Sequence, residues 1–432
     1  MKKIALISHG CAKNLVDSEL ILGILKENGY EITLDENETD TVIVNTCSFI
    51  CDAERESIHT ILELVQNGKQ VIVTGCLAQK HPEELKKEIP EIAAIVGATD
   101  FTKIIEVLNN LNKGFVSEVS TKPDYIYPEK VERAQITMGA SSYIKIADGC
   151  SYRCGYCIIP YLRGDYHSRK MEDIISEAKE LVKKGVTEII LIAQDTTGYG
   201  TDIYQKPMLA KLLRELNKID GLGWIRVMYA YPTRMDDELL KAIAECEKVV
   251  KYVDIPLQHS HPEMLKLMNR PAFDYRPMIE KIRKIIPNVS IRTAFIVGYP
   301  SETEEHFEHL CKFVQDMKFD RMGVFCYSRE KGTPSYSMKP QISKTVAKKR
   351  YKKLMEIQQK ISLERNKKFI GKTLPCIIEC IADNGEAVGR TQYDAPEIDG
   401  VVTIKTDKLL IPGDIELVKI IDSTEYDLIG EI

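Results

Sequence analysis

The residues best suited to chemistry are three closely spaced cysteines, Cys150, Cys154 and Cys157, which form a C-x3-C-x2-C run after a predicted strand. Three thiolates this close together can hold one face of a cubic iron–sulfur cluster. Because no fourth cysteine is nearby, one iron would stay open to an outside ligand, as in catalytic metal sites. A structural zinc ion is the alternative, although zinc prefers four ligands in a closed tetrahedron.

Three further cysteines, Cys11, Cys47 and Cys76, lie far apart in the sequence, with 35 and then 28 residues between them. Each of them nevertheless follows a predicted strand. The carboxyl ends of neighbouring parallel strands share one edge of a sheet, where ligands bind, so the three thiols could converge. Gly10 and Gly75 directly precede two of these cysteines and would allow close approach of the backbone. Both an iron–sulfur cluster and a zinc ion fit this arrangement.

The composition is that of an ordinary globular protein. The chain has 432 residues, of which 44% are hydrophobic and 28% charged, and its formal net charge is −5. That charge does not by itself indicate nucleic-acid binding, which needs a basic surface. No apolar run approaches the roughly eighteen residues of a membrane span, so we predict a cytoplasmic protein without membrane contact. Disulfides rarely persist in a reducing cytosol, so the clustered cysteines indicate metal or redox chemistry.

The elements that must position the first three cysteines alternate between strand and helix. We predict strands at 3–8, 41–45, 70–74 and 92–97, and helices at 16–27, 53–65, 82–89 and 102–111. This alternation is typical of a doubly wound parallel sheet, which we assign to residues 1–115. A mostly polar stretch with two prolines follows, and we predict a linker over 116–138.

A second alternating region holds the C-x3-C-x2-C run. We predict six strands, at 143–147, 188–193, 223–228, 252–256, 290–297 and 321–327. Six βα units of this length indicate a partial, TIM-like (βα)6 barrel rather than another open sheet, and we assign it to residues 139–365. Apolar residues at three- and four-residue spacing predict one long helix over 344–368.

Residues 366–432 are different in character. Short strands are predicted at 374–381, 386–390, 400–404, 414–421 and 427–432. Short strands separated by turns indicate a small antiparallel β-barrel. This segment is also acidic, because it carries seven Lys/Arg against thirteen Asp/Glu.

The C-x3-C-x2-C spacing, with Tyr156 before its last cysteine, resembles the signature of the radical S-adenosylmethionine superfamily. In that superfamily the open iron chelates S-adenosylmethionine, and an electron from the cluster cleaves it to a 5′-deoxyadenosyl radical. The resemblance implies that the three cysteines are catalytic. It also implies that residues at the carboxyl ends of the barrel strands, where barrel active sites lie, bind the cofactor. These residues are Tyr156, Gln194, Asp195, Gln258, Val297 and Gly298.

The whole chain resembles the methylthiotransferase family, which combines a three-cysteine N-terminal domain, a radical S-adenosylmethionine barrel and a small OB-like TRAM domain. The resemblance implies two 4Fe–4S clusters, with an auxiliary one on Cys11, Cys47 and Cys76 and the radical-generating one on the C-x3-C-x2-C run. It implies an enzyme that uses S-adenosylmethionine to insert a methylthio group into an unactivated C–H bond. Such an enzyme needs a low-potential electron donor such as flavodoxin or ferredoxin.

Two branches of this family differ in their substrate. One modifies a tRNA adenosine, and the other, the RimO type, modifies the β-carbon of an aspartate in small ribosomal subunit protein twelve. Three stretches resemble the second branch: 10–19 (GCAKNLVDSE), 257–260 (LQHS) and 394–400 (DAPEIDG). The tRNA branch typically has Gln-Met before the asparagine of the first stretch. We therefore expect modification of the aspartate, with the tRNA adenosine as the alternative.

The charge distribution bears on the partner. An acidic C-terminal barrel repels phosphate and complements a basic ribosomal protein, although acidic surfaces also serve solubility alone. The helix at 344–368 is basic, since residues 341–369 hold ten Lys/Arg against two Glu. That face is either merely solvated or a contact for RNA. A non-catalytic scaffold that binds zinc or a cluster is a further alternative.

Overall fold

The computed structural model describes residues 2–124, 127, 133–136, 139–382 and 385–432. Its N-terminal part is a parallel six-stranded sheet in the order β2-β1-β3-β4-β5-β6. The strands are β1 Lys3–Ser8, β2 Glu31–Thr33, β3 Thr41–Thr46, β4 Gln70–Gly75, β5 Ala94–Val96 and β6 Val116–Glu118. The helices are α1 Ala12–Glu27, α2 Cys51–Gln66, α3 Cys76–Lys80, α4 Pro82–Glu88 and α5 Ile104–Asn110.

The central strands β3 and β4 are apolar on both faces, because helices cover both faces of the sheet. Alternate residues of β3 and β4 enter two separate apolar clusters, one with α1 and α5 and the other with α2 to α4. Continuous apolar runs such as TVIV and VIV are typical of such doubly covered strands. The predicted doubly wound parallel sheet is therefore confirmed.

Two edge strands were not predicted from the sequence. Both β2 and β6 are three residues long and only partly buried, so neither carries an apolar run that marks a strand. β6 pairs with β5 and lies inside the segment for which a linker is predicted. Residues 125–126, 128–132 and 137–138 of that predicted linker lie outside the described residues.

The central part is a partial barrel of six parallel strands. Two three-stranded sheets, β11-β10-β7 and β12-β13-β14, lie side by side, and a bridge between Ile225 and Val249 joins them. The strands are β7 Ser141–Lys145, β10 Glu188–Ile192, β11 Trp224–Val227, β12 Tyr252–Asp254, β13 Ser290–Val297 and β14 Arg321–Cys326. Among the described pairings none joins β14 to β7, so the barrel is open on that side, in agreement with the predicted (βα)6 arrangement.

Helices surround this barrel, and a short antiparallel ribbon of β8 Ala147–Asp148 and β9 His167–Ser168 follows its first strand. The helices are α6 Ile159–Arg163, α7 Met171–Lys183, α8 Leu209–Leu216, α9 Asp237–Glu245, α10 Pro262–Leu267, α11 Arg276–Ile285, α12 Glu304–Met317 and α13 Lys344–Lys367. The long helix predicted over 344–368 is thus present as α13. It begins after Ser343, whose hydroxyl accepts the Val346 amide hydrogen bond as an N-cap.

The C-terminal part is a closed five-stranded barrel in the order β15-β16-β17-β19-β18. The strands are β15 Thr373–Ile381, β16 Ala387–Thr391, β17 Val402–Lys405, β18 Ile415–Ser423 and β19 Leu428–Glu431. Neighbouring strands are antiparallel except for β17 and β19, which run parallel. The small barrel predicted from the sequence is therefore confirmed, with one parallel pair in it.

The C-terminal barrel packs against the amino ends of the central strands. The Thr187 hydroxyl donates to the Gly413 carbonyl at 2.8 Å, just before β10. The Ser290 hydroxyl, at the start of β13, donates to the Tyr393 carbonyl at 3.0 Å. The C-terminal barrel thus lies at the end of the central barrel opposite the carboxyl ends of its strands.

Buried ion pairs fix this contact. Glu188 at the start of β10 accepts from Arg226 at 2.8 Å and also from Arg390 of the C-terminal barrel. Asp394 pairs with the Arg321 guanidinium at 2.5 Å. Two acidic residues of the 394–400 stretch, Asp394 and Asp399, are therefore bound to central-barrel arginines, which reduces the free acidity of this domain.

Neutralising Glu188 should destabilise this interface strongly. Burial alone would raise the pKa of Glu188, but Arg390 and Arg226 lower it to about 2. Glu188→Gln leaves the buried Arg226 guanidinium without its carboxylate and leaves Arg390 with Glu379 alone. We expect a loss of about 3–5 kcal/mol in the free energy of unfolding at pH 7. Urea unfolding measures it, with the exposed Glu172→Gln as the matched control.

The same pair predicts a pH dependence. Because the folded-state pKa lies below the unfolded value of about 4.3, the contribution of Glu188 is complete above that value and is lost as pH falls toward about 2. The acid-dependent loss of stability should be smaller in Glu188→Gln than in wild type. Equal pH dependence in both proteins would contradict this assignment.

Candidate functional site

The first three cysteines lie on one edge of the N-terminal sheet. Cys11 follows β1, Cys47 follows β3 and Cys76 begins α3 directly after β4. The loops approach so closely that a Cβ atom on Gly10 would lie 2.8 Å from the Cys47 Cβ. Gly10 has φ +96° and Gly75 has φ +91°, which glycine adopts without strain. The two glycines thus allow the close approach of these loops.

Asn14, in the first turn of α1, ties the three cysteine loops together. Its side-chain amide donates to the His9 carbonyl at 3.1 Å and to the Thr46 carbonyl at 3.0 Å. Its side-chain oxygen lies 3.9 Å from the Cys76 sulfur. One buried side chain therefore contacts the residues next to Cys11 and Cys47 and the third cysteine itself.

The second group of cysteines lies on a loop after β8, at the carboxyl end of the first barrel strand. The Cys150 amide donates to the Gly164 carbonyl at 3.1 Å, and the Gly155 amide donates to the Met268 carbonyl at 2.8 Å. A Cβ atom on Gly155 would lie 2.5 Å from the Tyr299 hydroxyl. The loop is thus held from two sides, and only a residue without a side chain fits at Gly155.

The segment that follows the second triad packs against the first triad at the contact between the N-terminal domain and the barrel. Cys76 packs in a buried apolar cluster with Ile158 and Leu162, which directly follow the second triad. Arg163, at the end of α6, brings a guanidinium nitrogen to 4.0 Å from the Cys76 sulfur. Helix α6 therefore connects the second triad with the first.

A buried charge network closes this contact. Arg163 donates to Asp17 of α1 at 2.6 Å, to Asp148 at 2.9 Å and to the Asn14 oxygen at 2.7 Å. Lys145 donates to the same two carboxylates, at 2.5 and 2.8 Å. We call these five residues the domain-bridging network. It balances two cations with two anions, which is how buried charges are tolerated.

Lys13 lies beside this network and next to Cys11. Its ammonium is 3.6 Å from the centre of the Tyr229 ring and 3.5 Å from the Ala193 carbonyl, at the carboxyl ends of β11 and β10. Although desolvation of the thiol raises the pKa of Cys11, the charge of Lys13, the hydrogen bond from the Asn14 amide and the charge of Arg163 outweigh this effect, and the pKa lies below its usual value. Lys13 thus extends from the cysteine edge of the sheet over the barrel strands.

Four further thiols of the two triads have pKa values above the usual one. Burial raises the pKa of Cys47 and of Cys150 to about 11, and that of Cys157 to about 12. Burial likewise raises the pKa of Cys76. These thiols stay protonated at neutral pH unless a metal displaces their protons, which is how thiolate sites couple to metal binding.

The spacing of the sulfur atoms tests the kind of metal group that fits. In a tetrahedral zinc site with Zn–S bonds of about 2.3 Å, the sulfurs are about 3.8 Å apart. Within the described part of the chain, the only three ligand atoms within 4.8 Å of one another belong to His261, Glu263 and His306. Both cysteine triads are more widely spaced, which fits a larger cluster better than a single zinc ion.

Gln194 and Asp195 follow β10 and behave differently. The Gln194 amide donates to Asp148 at 2.6 Å, while its side-chain oxygen is buried with no hydrogen-bond partner. Asp195 accepts from the Thr197 hydroxyl at 2.5 Å and from the Tyr152 hydroxyl at 3.0 Å. Gln194 therefore offers a free acceptor to an ammonium group, whereas Asp195 is occupied by its own loop and by Tyr152 of the C-x3-C-x2-C loop.

The remaining residues of the cofactor-binding set lie in packed surroundings. Gln258 has φ +72° and exchanges backbone hydrogen bonds with β13. Val297 is fully buried, and the Gly298 amide donates to Glu302 at 2.5 Å. Tyr156 packs against an apolar cluster of four buried residues. Of this set, Gln194 alone presents an unpaired buried polar atom among the described side chains.

The sequence reasoning did not single out the members of the domain-bridging network or Lys13. Asn14, Asp17 and Lys13 lie in the stretch used only to choose a family branch, and Asp148 and Arg163 flank the second triad. Charged residues inside otherwise apolar elements were the available signal, since such residues are almost never buried without a partner.

The cysteines differ in their access to solvent. Cys11 is exposed and Cys150 and Cys157 are half-buried, whereas Cys47, Cys76 and Cys154 are buried. Two surface hollows, one on the C-terminal barrel and one at the amino edge of the N-terminal sheet, contain none of these residues. Of the helices in the described ranges, none is long and apolar enough to cross a membrane.

Comparison with known proteins divides the chain into three matched regions. The model of an uncharacterized protein family, UPF0004, matches residues 3–97, the Radical SAM superfamily matches 144–314, and the TRAM domain matches 370–432. The chain is 52% identical to the ribosomal protein uS12 methylthiotransferase RimO of Thermoanaerobacter sp. (strain X514), covering 100% of both chains. The chain belongs to this methylthiotransferase family. It is 50% identical to the protein of the same description from Caldanaerobacter subterraneus, again over 100% of both chains.

Membership of this family makes the chain a radical S-adenosylmethionine enzyme that uses two 4Fe–4S clusters and S-adenosylmethionine. The relatives favour the RimO-type branch over the tRNA branch. A solved structure of the radical S-adenosylmethionine methyltransferase TsrM from Kitasatospora setae has a similar fold, with a TM-score of 0.58 at 15% identity. The match covers 78% of this chain and 77% of that one.

Adding a methyl group to Gly10 should disrupt the first triad selectively. In Gly10→Ala the new Cβ would lie 2.8 Å from the Cys47 Cβ, so the Cys47 loop must shift. We expect iron after anaerobic reconstitution to fall from about eight to about four per chain. Gly29→Ala is the matched control, because Gly29 also has positive φ but a Cβ there meets nothing within 4 Å. Equal iron content in both variants would contradict the prediction.

Proposed function

We propose that this protein adds a methylthio group to the β-carbon of an aspartate in small ribosomal subunit protein uS12. The observation that carries the proposal is that helix α6, which follows the second cysteine triad, packs against Cys76 of the first triad. The family relatives support the substrate, since they are ribosomal protein uS12 methylthiotransferases that match this chain from end to end. The reaction would take place in the cytoplasm.

In this proposal Cys11, Cys47 and Cys76 hold the auxiliary cluster, and the C-x3-C-x2-C loop holds the radical-generating one. When bound, the two clusters and S-adenosylmethionine supply the electron, the hydrogen abstraction and the sulfur that the reaction needs. The protein contributes position. The loop contacts at Gly155 and Asn14 fix the thiols, and the domain-bridging network fixes the distance between the triads.

The S-adenosylmethionine contacts are assigned by the same reasoning. We assign to the Gln194 oxygen a hydrogen bond from the amino group of the methionine part, and its lack of a partner in the protein supports this role. Asp195, Val297 and Gly298 act by shaping the strand ends, because their polar groups or side chains are already engaged within the protein. Tyr156 and Gln258 complete the set around the second triad.

Two further partners follow from the chemistry and the charges. The electron would come from a low-potential donor such as flavodoxin or ferredoxin. The exposed lysines of α13, among them Lys348, Lys349 and Lys352, form a basic face that suits ribosomal RNA phosphates if the substrate is met inside the ribosomal subunit.

The two triads should differ in what their loss abolishes. Replacing Cys150, Cys154 and Cys157 by alanine should abolish 5′-deoxyadenosine formation, because no electron then reaches S-adenosylmethionine. Replacing Cys11, Cys47 and Cys76 should spare that cleavage and abolish the methylthiolated product. Chromatography of the nucleoside and mass spectrometry of the substrate measure both. Equal loss of 5′-deoxyadenosine in both triple variants would contradict this division of roles.

The choice of substrate is tested with one reconstituted preparation. Anaerobic incubation with a peptide from protein uS12 should add about 46 Da, the mass of a methylthio group in place of hydrogen. Incubation with tRNA should leave its nucleosides unchanged. Modification of tRNA without modification of the peptide would overturn the proposed substrate, and absence of iron or of 5′-deoxyadenosine would overturn the enzyme assignment.

A further inference from the structure

One cation beside the first triad, Lys13, forms no close ion pair with a carboxylate among the residues that the structure describes. The Lys13 ammonium rests on the Tyr229 ring at 3.6 Å, and its hydrogen bond to the Ala193 carbonyl is long, at 3.5 Å. Among the described residues, no carboxylate oxygen lies within the 4.0 Å of an ion pair. An ammonium carries three hydrogen-bond donors, so one remains for a ligand beside the contacts to the Tyr229 ring and the Ala193 carbonyl.

The neighbouring cations cannot take this role. Arg163 is bound by Asp17, Asp148 and Asn14, and Lys145 by the same two aspartates. Both side chains are buried at 2% exposure or less, whereas Lys13 is only half-buried. Lys13 is therefore the cation of this site that an incoming group can reach.

The position of Lys13 matches the chemistry of the proposed substrate. The side chain begins two residues from Cys11 and ends over the carboxyl ends of β10 and β11, next to Gln194. It thus lies between the sulfur-bearing edge and the end of the barrel assigned to S-adenosylmethionine. In an aspartate the reacting β-carbon is bonded directly to the carboxylate, so a cation that holds the carboxylate also holds that carbon.

Resting on the proposed function, we infer that Lys13 binds the side-chain carboxylate of the target aspartate and so selects aspartate over its uncharged analogues. The Tyr229 ring positions the ammonium by a cation–π contact. A neutral asparagine offers no charge to the ammonium. A carboxylate held by a partly desolvated ammonium forms a charge-assisted hydrogen bond, which is among the stronger kinds.

Binding of two peptides measures this role without relying on turnover. Fluorescence anisotropy with the reconstituted protein compares a uS12 peptide that contains the target aspartate with the same peptide carrying asparagine there. Wild type should bind the aspartate peptide about 10- to 100-fold more tightly, as expected for a hydrogen bond to a charged group. Lys13→Met, which keeps the chain length and removes the charge, should bind both peptides equally.

Two control variants keep the result interpretable. Lys13→Arg retains the charge and should retain most of the preference for aspartate, and the exposed Lys211→Met should behave as wild type. Iron content and thermal unfolding of each variant report whether the site has formed. A Lys13→Met protein with normal iron that still prefers aspartate overturns the inference. A wild-type protein that neither binds nor modifies the aspartate peptide overturns the proposed function, and the inference with it.

Discussion

The architecture depends on buried ion pairs between Asp17 of helix α1 and two cations of the central barrel, Lys145 at the end of β7 and Arg163 at the end of α6. Asp17 and Asp148 share Arg163 and Lys145, and all four side chains are almost fully buried. Such pairs add little net stability, but removing one member leaves a buried charge uncompensated at a cost of about 3–5 kcal/mol. The network therefore works mainly as a constraint on geometry. It disfavours hinge motion between the domains, because opening the contact would separate these charges.

The two cysteine triads lie beside this contact between the domains. The N-terminal sheet contributes one triad at the carboxyl ends of β1, β3 and β4, and the barrel contributes the other after its first strand. Arg163 links the two regions, since it ends the helix that follows the second triad and lies 4.0 Å from Cys76 of the first. A reaction that transfers sulfur, as a methylthio group, from one metal centre to a substrate beside the other needs a fixed distance between the two centres.

Much of this could be predicted from the sequence, for identifiable reasons. The apolar runs of β1, β3 and β4 place a cysteine at each strand end, so their convergence follows from parallel topology. The edge strands β2 and β6 could not be predicted, because three partly exposed residues carry no apolar pattern. The domain-bridging network could not be predicted either, since Asp17 pairs with residues 128 and 146 positions away. Likewise, nothing in the 394–400 stretch indicated that its acids pair with central-barrel arginines.

The C-terminal barrel is attached to the amino ends of the central strands, so the height of the central barrel separates it from the cysteine triads. This height sets a minimum length for any partner that contacts both the C-terminal barrel and the triads. The longest of those strands, β13, has eight residues, which corresponds to a height of about 26 Å at 3.3 Å per residue. A fully extended polypeptide covers at most about 3.5 Å per residue. A protein substrate could contact the acidic C-terminal barrel with one part and present its aspartate to the cysteine triads with another. It must then span the full height of the central barrel, with a segment of at least about eight residues or with a folded body of that size.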